Sequence, residues 1–234
     1  MINLGTRAYV EGDYAAAVRF YDKAVLPGHT LASDVIFHTF RGDAYQHVGR
    51  EAEALADANL AWLMLIEDPS TAGDPRDRLA ISDDLRFEVL VRILPILKGG
   101  EAGRFESARA LFIALPVEDW AALSNRAGVL EQLGEYEAAL VDSKRAVELQ
   151  PREPAPLNNH CYVLTRAGRP QEGLPFCERA VALAPDIAPL RHSYASALAG
   201  MGRCADSERQ LAAARRLDPA GALYRVSLAC TPKS

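Results

Sequence analysis

The sequence predicts an all-α protein, an α-solenoid in which successive helical hairpins stack on one another. The first observation is a repeat, because single residue types recur every 34 residues in one phase: the glycines Gly134, Gly168 and Gly202, the alanines Ala146, Ala180 and Ala214, and the prolines Pro151, Pro185 and Pro219. The second is that apolar residues between these markers follow the three- and four-residue spacing of helices. A period of this length accommodates two helices and two turns.

Each period divides into two helices at its glycine. In the segment 119–150, Leu123 and Leu130 lie on the apolar stripe of a first helix, which Gly134 ends. A second amphipathic stripe follows, and Pro151 prevents that helix from continuing. The sequence therefore predicts a helix, a tight turn, a second helix and a sharper turn in every period.

The N-terminal part carries the same pattern less regularly. Gly12 and Gly49 divide two hairpins within 1–68, and the second hairpin continues as a helix through Trp62. Residues 69–81 combine prolines, a glycine, a serine and aspartates, a composition typical of a loop.

A divergent hairpin is predicted over 82–117. Its first helix, near 83–98, is almost continuously apolar and contains Pro95 near its end, where we expect a kink or a stop. Its second half carries the pattern Gly103-Arg104-Phe105…Ala108…Phe112 and ends at Pro116. After Pro219, residues 222–230 read as a short capping helix.

The hairpin pattern resembles that of the tetratricopeptide-repeat (TPR) family. The matching residues are Leu130…Gly134-Glu135-Tyr136…Ala139…Ala146…Pro151, Leu164…Gly168…Gly173…Ala180…Pro185 and Leu198…Gly202…Ala214…Pro219. The resemblance implies a right-handed α-solenoid of about six TPR-like helical hairpins plus a C-terminal capping helix. The expected order is two units over 1–68, a loop over 69–81, a divergent hairpin over 82–117, three regular units over 118–221, and a capping helix with a tail over 222–234.

The composition argues against several classes of function. The 234 residues carry a formal net charge of −5, so the chain lacks the basic surface of a nucleic-acid binder. No apolar run is long enough to span a membrane. The histidines and cysteines show no zinc-ligand spacing, and the chain has neither a glycine-rich phosphate loop nor a nucleophile elbow. We therefore expect no enzyme activity, no metal and no cofactor.

The resemblance implies a concave groove lined by the first helix of each hairpin. Asn125 and Asn159 share the inward-facing phase, as does Asn3 in the first unit, and an asparagine amide pairs well with an extended peptide backbone. The other residues expected to line the groove are Ser124, Asn158, Tyr162, Arg166, His192 and Ser196 in the C-terminal part, and Phe40 and Asp43 in the N-terminal part. The alternatives are that the asparagines are merely tolerated at exposed helix sites, and that Phe40 belongs to the core.

The same register places the four cysteines in two pairs. Cys161 and Cys177 face inward from the two helices of one hairpin, and Cys204 opens the helix beside which Cys230 should run. Two disulfides are therefore conceivable, and they would imply an oxidising compartment. The interpretation that the sequence favours is four small core thiols in a cytoplasmic protein. The alternative is a periplasmic or secreted protein whose signal peptide has been removed.

These expectations favour a scaffold that binds a partner peptide or helix of another protein in its groove. The first alternative is a self-assembling structural module, since acidic residues predominate up to Glu153, basic residues predominate after it, and the helix around 85–97 is strongly apolar. An enzyme or an accessory domain of one is the least favoured, because no motif supports it. No partner other than a protein or peptide is expected, apart from weak self-association.

Overall fold

The structure, a computed structural model, describes residues 1–24, 31–66 and 81–231. Within these ranges every regular element is a helix and there is no strand, which confirms the all-α fold class. The chain forms two compact units, Met1–Pro116 and Val117–Ser234. The predicted loop over 69–81 lies outside the described residues except for its last residue, Ile81, which is buried.

The first unit contains six described helices in three hairpins. They are α1 (Ile2–Val10), α2 (Tyr14–Tyr21), α3 (Leu31–His47), α4 (Glu51–Ile66), α5 (Asp83–Leu97) and α6 (Ala102–Ala114). The helices α1 and α2, α3 and α4, and α5 and α6 pack in pairs. The α5 helix is buried along most of its length, and it ends at Leu97, two residues after Pro95.

The second unit contains three hairpins and a short terminal helix. They are α7 (Trp120–Leu133), α8 (Tyr136–Leu149), α9 (Pro154–Arg166), α10 (Pro170–Leu183), α11 (Ala188–Gly200), α12 (Cys204–Leu217) and α13 (Ala222–Arg225). The first helices of successive hairpins are in contact, α7 with α9 and α9 with α11. These three helices therefore share one face of the unit.

Glycines form the turns inside the hairpins. In the described residues, positive φ angles of 77–87° occur at Gly12, Gly49, Gly134, Gly168 and Gly202, and at no other residue type. Only glycine adopts this left-handed conformation without steric cost, which explains why glycine recurs every 34 residues. The divergent hairpin differs, because Gly103 lies inside α6 and the turn instead contains Gly99 and Gly100.

Small residues allow the helices of a hairpin to approach closely. Ala139, Ala146, Ala180 and Ala214 are completely buried. At Gly173 a Cβ atom would lie 2.9 Å from the carbonyl oxygen of Cys161 on the preceding helix. Glycine is therefore required there by packing, in the phase where the neighbouring repeat has an alanine.

The prediction of a capping helix over 222–230 is wrong in its length. Helix α13 contains only Ala222–Arg225, and it is followed by Val226 in an extended conformation, with φ at −82° and ψ at 133°. Four helical residues rise about 6 Å, whereas an extended chain advances about 3.3 Å per residue. The non-helical stretch after Arg225 ends at Cys230, which is bonded to Cys204 at the start of α12.

Candidate functional site

A cavity of about 480 Å³ opens on the face shared by the first helices of the second unit. We call residues 222–231 the C-terminal strap. The cavity is lined by α9, α11 and this strap; the residues are Tyr162, Thr165, Arg166, His192, Ser196, Ala199, Gly200, Leu223, Val226, Leu228 and Ala229. Four of the residues that the sequence assigned to the groove, Tyr162, Arg166, His192 and Ser196, come together here.

The charged side of the cavity is held by an ion pair between neighbouring repeats. Arg166 donates its Nε hydrogen to Oε1 of Glu131 at 2.6 Å. The Glu131 side chain is 8% exposed and that of Arg166 is 53% exposed. The buried carboxylate thus anchors the arginine, while the outer part of the guanidinium remains accessible to a ligand. The hydrogen bond to Glu131 also raises the pKa of Arg166, so the group stays cationic.

The hydroxyl groups of the cavity are already used as donors. Ser196 donates to the carbonyl oxygen of His192 at 3.0 Å, and Thr165 donates to that of Cys161 at 2.9 Å. Each of them still offers an oxygen lone pair as an acceptor. Tyr162 is half-buried, and burial raises the pKa of its phenol, so that it remains a neutral hydrogen-bonding group.

His192 is less accessible than the sequence analysis expected. It is 7% exposed, and its ring lies 5.7 Å from the ring of Tyr224 in the strap. Burial lowers its pKa, so the imidazole is neutral near pH 7. The expectation that His192 lines an open groove did not allow for a strap that lies against α11.

The asparagines lie beside the cavity and do not line it. Asn125 is exposed on α7, and Asn159 is half-buried on α9, about one turn before Tyr162. Their neighbours Ser124 and Asn158 are buried and half-buried, and neither the Ser124 Oγ nor the Asn158 Oδ1 has a hydrogen-bond partner among the described residues. The sequence expectation of an asparagine ladder therefore stays a prediction.

In the first unit, the groove residues assigned from the sequence are engaged with their own neighbours. The Tyr9 hydroxyl donates to a carboxylate oxygen of Asp43. Phe40 packs edge-on against Tyr9 at 4.9 Å between ring centroids, and the guanidinium of Arg92 lies 5.0 Å above its ring. Phe40 therefore fits the alternative of a packing residue, whereas Asn3 is exposed on α1.

All four cysteines are paired in the second unit. Cys161 and Cys177 are bonded at 2.00 Å with their Cα atoms 5.5 Å apart, and Cys204 and Cys230 are bonded at 2.08 Å with their Cα atoms 5.6 Å apart. Both Cα separations lie within the usual range for disulfides. The structure therefore has the pairing that the register allowed, in place of the four thiols that the sequence analysis favoured.

A second cavity, of about 560 Å³, was not anticipated from the sequence. It lies between α8 and α10, over an apolar base that includes Leu140, Leu164 and Phe176. Lys144 and Arg169 lie at the same cavity, as does His160, whose Nδ1 lies 2.9 Å from the Oγ of Ser143. Burial, followed by the charges of Lys144 and Arg169, lowers the pKa of His160 to about 4. Val141 on α8, an apolar residue that is 69% exposed, also lines this cavity.

The part of the chain that the structure describes contains neither a membrane-spanning helix nor a group of metal ligands. None of its helices combines the length and the apolar character needed to cross a membrane. Among the same residues, no three histidine, cysteine, aspartate or glutamate side chains form a group suited to a metal ion.

Comparison with known proteins identifies the repeat. The sequence model of the tetratricopeptide repeat matches residues 121–153, which contain α7 and α8. No curated protein matches the chain in sequence. A solved tetratricopeptide repeat protein from Parabacteroides merdae superposes with a TM-score of 0.63 at 17% identity, over 96% of this chain and 81% of that one.

Two further solved structures are less similar. YrrB, described as a TPR protein with an unusual peptide-binding site, has a TM-score of 0.46 at 16% identity over 82% of this chain and 90% of its own. The first TPR domain of human RPAP3 has a TM-score of 0.43 at 15% identity over 45% of this chain and 84% of its own. The sequence match therefore identifies one tetratricopeptide repeat at 121–153, and the structure shares its fold with the Parabacteroides merdae protein.

Proposed function

We propose that the chain is a protein-interaction scaffold, and that its second unit binds an extended segment of a partner protein on the face of α7, α9 and α11. The observation that carries this proposal is the cavity in which Tyr162, Arg166 and Ser196 meet the apolar side chains of the strap. The side chains exposed on the shared helix face of a stacked repeat are available for binding, because the opposite sides carry the packing.

The lining indicates which side chains a partner would present. Leu223, Val226 and Leu228 form an apolar wall, and a cavity of about 480 Å³ has room for one large apolar side chain. The accessible guanidinium of Arg166 offers charge-assisted hydrogen bonds to a carboxylate. The preferred segment therefore contains an apolar residue next to an aspartate, a glutamate or a chain terminus.

The cavity favours binding over catalysis. Its serine donates to a backbone carbonyl in its own helix, so no base activates it as a nucleophile. The imidazole of His192 is buried against Tyr224, and the Ser196 hydroxyl donates to the backbone carbonyl oxygen of His192 and not to its ring. The cavity thus offers polar and apolar side chains that can contact a ligand, but no paired general acid and base.

Peptide selection tests the proposal directly. A displayed library of random peptides is panned against the oxidised chain, and the affinity of one selected peptide is then measured by fluorescence anisotropy. We expect selected peptides to pair an apolar residue with an acidic one. Arg166→Ala and Tyr162→Ala should each weaken binding about tenfold or more, because a hydrogen bond to a charged group contributes about 1.5–3 kcal/mol.

Matched control variants distinguish binding in the cavity from binding elsewhere on the surface. Arg145→Ala removes an arginine whose ion pair, among the described residues, is with Glu148 on the same helix, so it should leave the affinity unchanged. Asn125→Ala and Asn159→Ala test the predicted contacts to the peptide backbone. Equal affinity for Arg166→Ala, Arg145→Ala and the unaltered chain would remove the cavity as the binding site.

We also propose that the chain works in an oxidising compartment, in contrast to the cytoplasm favoured by its sequence. Two disulfides in one unit of this size support that assignment, because cytoplasmic thiols are kept reduced. Mass spectrometry of the protein isolated from its native source after rapid alkylation measures the redox state. Four alkylated cysteines would contradict the proposal.

A further inference from the structure

The strap ends the second unit in an unusual way. It starts at the position, one repeat after Ala188, where a further hairpin would begin its first helix, but it is helical only over Ala222–Arg225. Tyr224 packs into a buried cluster with Ala195 and Leu211, and Leu228 packs against the same cluster. The strap thus covers the end of α11 with a partly extended chain where another repeat would have a helix.

Few non-covalent contacts hold the strap beyond its helix. Arg215 donates its Nε hydrogen to the carbonyl oxygen of Tyr224 at 2.6 Å, and Arg225 donates to that of Pro219 at 3.0 Å. Within the described residues, no hydrogen bond attaches the backbone of 226–231 to the unit. This stretch is therefore held by the covalent bond from Cys230 to Cys204 and by the packing of Leu228 against the buried cluster.

The same stretch forms one wall of the groove cavity. Val226, Leu228 and Ala229 lie across the cavity from the α9 residues that include Tyr162 and Arg166. Without the strap the cavity would have walls only from α9 and α11, and His192 would lose the cover of Tyr224. The apolar part of the cavity thus depends on the position of the strap.

The two disulfides differ in their accessibility. Cys161 and Cys177 are completely buried between α9 and α10, whereas Cys204 and Cys230 are each partly exposed. Thiol–disulfide exchange requires a thiolate to reach a sulfur atom, so a reductant attacks the exposed bond first. The strap disulfide can therefore change its state while the hairpin disulfide remains intact.

We propose that Cys204–Cys230 is a redox latch that holds the strap as a wall of the partner-binding cavity. A dithiol reductant transfers two electrons and two protons to the bond, giving two cysteine thiols, and is itself oxidised to a disulfide. The freed stretch 226–231 then leaves the cavity, which loses its apolar wall. This inference rests on the proposed function of the cavity, and it assigns the regulation of that site.

The release of the strap is measured without any ligand. The intact chain is treated with dithiothreitol under native conditions, and alkylation with mass spectrometry reports which cysteines are reduced. Limited trypsin digestion then follows cleavage after Arg225, and NMR titration follows the pKa of His192. We expect Cys204 and Cys230 to be alkylated first, cleavage to accelerate about tenfold or more, and the pKa of His192 to rise towards its ordinary value.

Double variants assign the effect to one bond. Cys204→Ser/Cys230→Ser should reproduce the fast cleavage under oxidising conditions. Cys161→Ala/Cys177→Ala keeps the latch and fills the same buried positions with small residues, so its cleavage after Arg225 should stay slow. Equal cleavage rates in the oxidised and the reduced chain, with Cys204 and Cys230 shown to be alkylated, would overturn the latch.

The anisotropy assay with the selected peptide connects the latch to binding. We expect the affinity to fall about tenfold when the latch is reduced, because the apolar wall is lost. A strap that is released without a change in affinity would overturn its role as a wall. Failure to select any peptide would count against the proposed function alone, because the cleavage and NMR measurements still test the latch.

Discussion

Arg126 on α7 holds Asp142 on α8 through two parallel hydrogen bonds. Its Nε lies 2.7 Å from Oδ2 and its Nη2 lies 2.9 Å from Oδ1, and both side chains are about nine-tenths buried. The first unit has the same device at the same spacing, since Arg41 binds Asp57 through its Nε at 2.6 Å and its Nη2 at 2.7 Å. In the repeat after α8 these positions hold His160 and Phe176, which pack edge-on. These three hairpins thus join their two helices at this point by either an ion pair or an aromatic contact.

Breaking the buried ion pair should strongly destabilise the second unit. Asp142→Ala leaves the Arg126 guanidinium without its carboxylate in a buried site, which costs about 3–5 kcal/mol. Replacing both residues, as in Arg126→Met/Asp142→Leu, should cost much less, because no buried charge remains. Urea unfolding followed by circular dichroism measures both. A double variant as unstable as Asp142→Ala would show that the helices need the ion pair itself.

Two glycines in one helical hairpin should respond oppositely to alanine. Gly134 ends α7 with φ at +87°, so Gly134→Ala should destabilise the fold by about 1–2 kcal/mol. Gly128 lies inside α7 with nothing within 4 Å of an added Cβ atom, so Gly128→Ala should stabilise it by about 0.5–1 kcal/mol. The midpoint of urea unfolding of each variant shows whether the substitution stabilises or destabilises the fold. Stabilisation by Gly134→Ala would contradict the left-handed turn.

Gly173 provides a third test, based on space and not on backbone conformation. Gly173→Ala brings a Cβ atom to 2.9 Å from the Cys161 carbonyl oxygen and to 3.3 Å from the Leu164 Cβ. Since backbone cannot move aside as a flexible side chain does, we expect destabilisation of about 1–3 kcal/mol despite the better helix propensity of alanine. Gly128→Ala is the matched control for helix propensity. Equal effects of the two substitutions would show that α9 and α10 have room to separate.

The periodic part of the fold could be predicted because its signals are local. A glycine with positive φ and a proline after the second helix act within one turn, so they repeat wherever the hairpin repeats. The divergent hairpin shows the limit of this reasoning. Its motif places Gly103 at the turn, but the turn contains Gly99 and Gly100, and an added Cβ at Gly100 would lie 2.9 Å from Leu55 on α4. Contact with another helix thus selects a position that the local pattern does not reveal.

The candidate site was only partly predictable for the same reason. The repeat phase predicts that Tyr162, Arg166, His192 and Ser196 share one groove, and in the structure all four line one cavity. It did not reveal that Glu131, one repeat earlier, anchors Arg166, or that the strap buries His192. These features depend on the path of the chain after Arg225, where the periodic pattern has ended. Side-chain partners from non-repeating segments therefore need the structure.

The last prediction concerns the stability of the fold at acidic pH. His160 is neutral and buried in the folded chain, with its pKa lowered to about 4 from the ordinary value of 6.5. Above pH 6.5 the imidazole is neutral in both states and folding is unaffected. As the pH falls from 6.5 to about 4, the unfolded chain binds a proton that the folded chain does not, so stability decreases. We expect this group to cost about 3 kcal/mol by pH 4.

Two variants isolate the contribution of His160 from the carboxylates and from His192, which also titrate in this range. His160→Gln removes the titrating group and keeps a hydrogen-bonding partner for Ser143, so the fall in stability between pH 7 and pH 4 should become smaller. Lys144→Ala removes one of the charges that lowers the pKa of His160, so the loss should also shrink while the imidazole remains. Urea unfolding at each pH gives the difference between the chains. Since burial is the larger cause of the shift, Lys144→Ala should have the smaller effect, and the reverse order would show that charge dominates.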